Sequence, residues 1–243
     1  MERFHWTTFD VRSLLPLGWE QSVLDVVEKD AQRKTLTTLH STSREGGAVL
    51  ELPTRGVGGS TVCEQLTWLR RLYETSFRDF AQVTTHEPVT IMSDKSHGIV
   101  LNVQTGSERY ECHVDTNPIE GLLYCTNHPL GSGGDLILSN RGDVPSIVDV
   151  DEDAARIEPV AGHLVFFDGR QHSHYVRPLS RPDDLRVVAA MNFYVPSSPE
   201  EARPHDLNDH LAGRLVGVGE ADIESRRRTV TVKGPKQRRE WHE

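Results

Sequence analysis

The chain has 243 residues, of which 36% are hydrophobic and 26% charged, and a formal net charge of −9 at pH 7. Those values fit one large folded domain or two small ones and exclude wholesale disorder. The acidic excess argues against nucleic acid or an anionic membrane as partner of the folded body.

The three cysteines, Cys63, Cys112 and Cys125, match no zinc or disulfide framework and point to a reducing, cytoplasmic setting. Residues 1–6 show no basic stretch leading into an apolar run, so no secretory leader is read there. No window holds the ~20 apolar residues of a membrane helix.

In chain order, residues 14–32 have helical character, with Leu17, Val23, Val26 and Val27 on one face and a turn at Pro16 and Gly18. Residues 35–40, rich in threonine, read as a strand. The glycines between 56 and 59, and the stretch 92–98, read as loops able to form a lid. From 60 to about 84 the pattern predicts the best helix, capped by Ser60 or Thr61. Its apolar stripe is Val62, Leu66, Leu69, Tyr73, Phe77 and Phe80.

After Pro88 the texture changes to short strands over 89–92, 99–103, 121–125, 135–138, 164–167 and 187–195, separated by turn residues. Helical segments do not alternate with them, which argues against a parallel α/β sheet. The expected fold class is mainly β with flanking helices, around a double-stranded β-helix (jelly-roll, cupin-like) core. One domain is expected over 1–219, with a mixed N-terminal support in 1–88 and the jelly roll in 89–196. A basic tail follows at 220–243.

His113 and Asp115 stand two apart. On a strand such positions face the same side, so both side chains can meet one ion. Alone, the pair reads equally well as a hydrogen-bonded surface contact. The downstream order adds weight: Gly133-Gly134-Asp135-Leu136, then Gly162-His163-Leu164-Val165-Phe166-Phe167, then His174-Tyr175-Val176-Arg177-Pro178, then Arg186. With Tyr110 just before the His-x-Asp pair, this series resembles the prolyl-hydroxylase-like branch of the Fe(II)- and 2-oxoglutarate-dependent dioxygenases, over about residues 98–195.

The resemblance implies that His113, Asp115 and His174 hold Fe(II), two imidazoles and a carboxylate leaving positions open for 2-oxoglutarate and O2. It implies that Arg186 binds the far carboxylate of 2-oxoglutarate as a planar fork. Arg181, in the turn beside Pro182, is the weaker candidate. Tyr110 and Tyr124 are candidates for the same carboxylate, with plain packing the alternative. His172 is read as a rim residue, His163 as structural, and Asn102 and Asn192 as polar groups beside the site.

The implied reaction consumes 2-oxoglutarate and O2, releases succinate and CO2, and oxidises an unactivated C–H bond. Asp115 speaks against the halogenase variant, which usually carries a small residue there. The expected substrate is a small molecule, an amino acid or a natural-product intermediate. The alternatives are a peptidyl (prolyl-type) substrate and a non-catalytic metal-binding cupin-like module.

Overall fold

The computed structural model describes residues 4–36, 52–106 and 110–203. The basic tail and residues 37–40 of the strand expected at 35–40 lie outside the described residues.

Helix α1 spans Trp19–Asp30 and starts where Gly18 takes a left-handed turn (φ 77°). Trp19, Val23, Val26 and Val27 recur at helical spacing and are all buried. Leu17 is not among them. It sits in the turn with Gly18, lies off the helix and is fully exposed (107%).

The long helix expected from residue 60 is a run of pieces: α2 (Gly59–Gln65), α3 (Thr67–Leu72), a π turn (Tyr73–Phe77) and α4 (Arg78–Thr85). Gly58 occupies the cap position, and neither Ser60 nor Thr61 caps the start. The run begins one residue early, at Gly59, which sits against a neighbouring backbone; a Cβ there would lie 2.4 Å from the Lys95 carbonyl oxygen. The stripe itself holds: Val62, Leu66, Leu69, Tyr73 and Phe77 are buried and Phe80 packs beside them. Stretch 92–98, read as a lid loop, contains helix α5 (Lys95–Gly98), its N-terminus capped by the Asp94 carboxylate.

Two antiparallel sheets carry the rest. The larger has strand order β1 (Trp6–Asp10), β10 (His163–Phe167), β7 (Ile119–Tyr124), β12 (Leu185–Tyr194), β5 (Ile99–Thr105), β3 (Leu52–Val57), β2 (Gln32–Leu36), with β4 (Thr90–Ile91) also pairing β12. The smaller has order β6 (Tyr110–His113), β11 (His174–Val176), β8 (Leu136–Ser139), β9 (Ala154–Ile157). Helix α6 (Ile147–Glu152) precedes β9. Every ladder is antiparallel. Among the described residues no ladder joins the two sheets, so the sheets form two layers rather than a closed barrel.

Strand periodicity sets the layers. On β12, Val187, Ala189, Met191 and Phe193 face the helices with Leu123 and Phe166. Val188 and Ala190 turn the other way and join Leu122, Tyr124, Val165 and Phe167 against Leu136, Leu138 and Val176 of the smaller sheet. Apart from the β8–β9 pair, strands β5 to β12 alternate between the sheets. The inner layer therefore collects side chains from distant parts of the chain, and the site lies at one end of it. Among the described residues no helix is long and apolar enough to cross a membrane.

Candidate metal centre and cosubstrate pocket

Strands β6 and β11 pair so that His113 lies directly across from His174. Their rings stand 4.4 Å apart, centroid to centroid, inclined by 53°. Asp115 completes the set, though not from a strand. β6 ends at His113, and Asp115 follows in the loop, its amide donating to the Gly169 carbonyl (2.8 Å). That bond, rather than strand alternation, turns its carboxylate to the side of the imidazoles. Asp115 Oδ1 lies 3.4 Å from His113 Nε2, and Oδ2 lies 3.5 Å from His174 Nε2. One ligand atom from each of the three falls within 4.8 Å of the others. Donors about 2.1 Å from one ion at right angles stand about 3 Å apart, so this set fits a cation on one face.

The protonation states suit that use. His174 Nδ1 donates to the His172 carbonyl (3.0 Å), which turns the Nε2 lone pair toward Asp115. Burial pushes the His174 pKa down to about 4, against the opposing pull of Asp115, leaving a neutral imidazole at pH 7. Burial works to raise the Asp115 pKa, but His174 and His113 outweigh it and the carboxyl is held below its usual range. Phe167 closes the wall edge-on to His174, with centroids 4.8 Å apart.

Arg186 lies on the inner face of β12, opposite Gln104 of β5. It is 2% exposed, and its Nε and Nη2 are buried without a hydrogen-bond partner. Its guanidinium carbon stands 5.4 Å from the centroid of the Tyr124 ring. The Tyr124 hydroxyl is likewise buried without a hydrogen-bond acceptor, and burial raises its pKa, so it stays protonated. A buried guanidinium with unused donors beside a phenol is what a carboxylate guest requires. Asp135 is not that carboxylate, because it bonds Arg156 (3.0 Å). Arg181 is exposed.

A sequence model of the 2OG-Fe(II) oxygenase superfamily matches residues 99–194, the stretch that carries all these side chains. Over residues 99–194 the chain carries the sequence of the 2OG-Fe(II) oxygenase superfamily. This oxygenase is a 2-oxoglutarate-dependent dioxygenase, and dependence on Fe(II) and 2-oxoglutarate defines the family. No curated protein matches the sequence. Among solved structures, the oxygenase is similar to a Trichoplax adhaerens prolyl hydroxylase in complex with a hypoxia-inducible-factor peptide fragment (14% identity, covering 82% of this chain and 88% of that one, TM-score 0.56). It is also similar to SnoN, a non-haem α-ketoglutarate-dependent epimerase of nogalamycin biosynthesis (12%, 82% of each chain, 0.55), and to Streptomyces hygroscopicus HygX with nickel and 2-oxoglutarate bound (11%, 79% and 84%, 0.54). At these identities the likeness is one of fold.

The remaining residues singled out from the oxygenase sequence fall as follows. Tyr110 opens β6, and its side chain lies outside the described residues. His172 stays out of the metal set; it shares the Ser139 carbonyl with His5 and stacks on the His5 ring at 4.2 Å. Asn192 donates to the His97 carbonyl (2.8 Å). Three neighbours of the site were not singled out. Glu120 is buried opposite Phe167 and bonded by Asn117. Ser173 accepts from the Val144 amide and anchors the entry to β11. Gly169 touches Asp115. Only Gly169 left a trace in the sequence, a glycine just after an apolar strand.

Proposed function

We propose that His113, Asp115 and His174 hold Fe(II), that Arg186 and Tyr124 grip the far carboxylate of 2-oxoglutarate, and that the enzyme hydroxylates an unactivated C–H bond of a small molecule such as an amino acid or natural-product intermediate. The observation that carries the reading is the convergence of the three donors from β6, its following loop and β11. The unpartnered donors of Arg186 support the cosubstrate half. The alternation of strands between two layers supports a double-stranded β-helix core in a single domain over 1–219.

When bound, Fe(II) supplies the oxidising chemistry, at the expense of 2-oxoglutarate and O2. The chain's own residues do the rest. Two imidazoles, that of His174 neutral at pH 7, and one carboxylate present lone pairs to a common point. Arg186 and Tyr124 fix the cosubstrate's orientation by charge and hydrogen bonding. Phe167 and the apolar inner layer keep water from the reacting end. The His174, His113 and Asp115 side chains are only 5%, 9% and 12% exposed, a recessed position that favours a small substrate over a polypeptide laid across the surface.

The test is succinate release with Fe(II), 2-oxoglutarate and O2 across a panel of amino acids, related metabolites and proline-containing peptides, with mass spectrometry of the product. The expected result is release stimulated by a small molecule that gains one oxygen. Arg186→Ala is expected to abolish it at ordinary 2-oxoglutarate concentrations, since removing one partner of a buried charged contact loses about 2–5 kcal/mol. Unchanged turnover in Arg186→Ala would remove the cosubstrate assignment. Stimulation by peptides alone would move the substrate to the prolyl-type class. Iron binding without turnover of any kind would leave a metal-binding module.

A further inference from the structure

We propose that Gly169 is a positioning residue of the metal centre, whose carbonyl hooks Asp115 and whose missing side chain leaves room for the Asp115 carboxylate. The inference rests on the Fe(II) reading above and concerns a residue that ligates nothing.

Asp115 is the one member of the set outside a strand ladder, since β6 ends two residues before it. Its amide is held by the Gly169 carbonyl at 2.8 Å. The same glycine lies under its side chain. A Cβ at position 169 would stand 2.1 Å from Asp115 Oδ2, 2.9 Å from Cγ and 3.0 Å from Cβ. Nothing else requires glycine there. The glycines with left-handed backbone are Gly18, Gly106, Gly131, Gly133, Gly134, Gly142 and Gly162, and Gly169 is not one of them. An alanine is therefore compatible with the backbone, and its three nearest conflicts are all with the Asp115 side chain. Asp115 Oδ2, the atom in closest conflict, is also the one 3.5 Å from His174 Nε2. A methyl group at 169 displaces the oxygen that closes the donor set, while a rotation of the Asp115 side chain relieves the clashes with Oδ2 and Cγ and leaves a tight 3.0 Å contact with Cβ. Folding and metal binding are then separable at this position.

The test uses the full-length protein stripped of metal, titrated with Co(II) without oxygen and followed by visible absorption. Wild type is expected to bind one Co(II) per chain. Gly169→Ala is expected to bind it roughly 10–100-fold more weakly, as when a group orienting a ligand is lost. Equal Co(II) affinity in the two proteins would overturn the proposal and leave the metal site standing. Failure of wild type to bind Co(II) would overturn the metal assignment and the proposal with it. Where Gly169→Ala folds poorly, thermal melts of the metal-free protein decide. The loss is expected to be relieved in the Asp115→Gly background, and an equal loss in both backgrounds would show that the clash lies elsewhere.

Discussion

At the scale of single residues, His174 sets how the metal-free protein answers to pH. Its imidazole is buried, and burial takes its pKa from 6.5 down to about 4. The unfolded chain therefore binds a proton between those values that the folded chain does not. Stability rises with pH across that window, is fully present above 6.5, and is lost as pH falls toward 4. The shift corresponds to roughly 3 kcal/mol. Urea melts of metal-free protein between pH 7 and 4.5 are expected to show that decline, and His174→Gln is expected to flatten much of it. Equal slopes in the two proteins would place the decline elsewhere. The residues legible from sequence were those whose chemistry is rare in a core: a His-x-Asp pair, a late histidine before Val-x-Pro, and an arginine at a strand start. Ser173 and Glu120 were not legible and Gly169 showed only as a glycine after an apolar strand, because each acts through a partner that the fold alone brings near.

At the scale of elements, the helical run from 59 to 85 shows what patterning reveals and what it leaves out. The apolar stripe was readable because burial follows spacing. The break at Leu66 and the π turn were not, because no glycine or proline marks either of them in the sequence. Central strands were readable as apolar runs, whereas β1 and β9, at the outer edges of their sheets and partly exposed, were not. Phe77 is fully buried in the stripe. Phe77→Ala is expected to destabilise the fold by about 3–5 kcal/mol through lost burial and the cavity left. Leu17→Ser, at a position sequence periodicity assigned to a buried face, is expected to change stability by no more than ~0.5 kcal/mol. Chemical denaturation midpoints at constant slope check both. A loss at Leu17 comparable to that at Phe77 would restore Leu17 to the core.

At the scale of the molecule, the two sheets meet through one apolar layer, and polar groups stand along it. The donor set joins β6 and β11 of the smaller sheet, while Arg186 and Tyr124 come from the larger. On the proposed reading a metal ties strands within one layer, and 2-oxoglutarate spans from that layer to the other. Both bind the folded state and both raise its melting temperature, each by RT ln(1 + [L]/Kd). At a hundred times Kd that is about 2.7 kcal/mol, or roughly 5–10 °C for a chain of this size. The two increments separate at Arg186. In Arg186→Gln the metal increment is expected to remain and the 2-oxoglutarate increment to vanish. The ligand-free variant is expected to melt no lower than wild type, because a buried guanidinium with unpartnered nitrogens gives way to a neutral amide and its desolvation penalty goes with it. Thermal melts with no ligand, with Mn(II), and with Mn(II) plus 2-oxoglutarate, under nitrogen, read all three quantities. A 2-oxoglutarate increment that survives Arg186→Gln would mean that Arg186 does not hold the cosubstrate. A sharp fall of the ligand-free melt would mean that Arg186 is already paired in the resting protein and supports the fold rather than waiting for a guest.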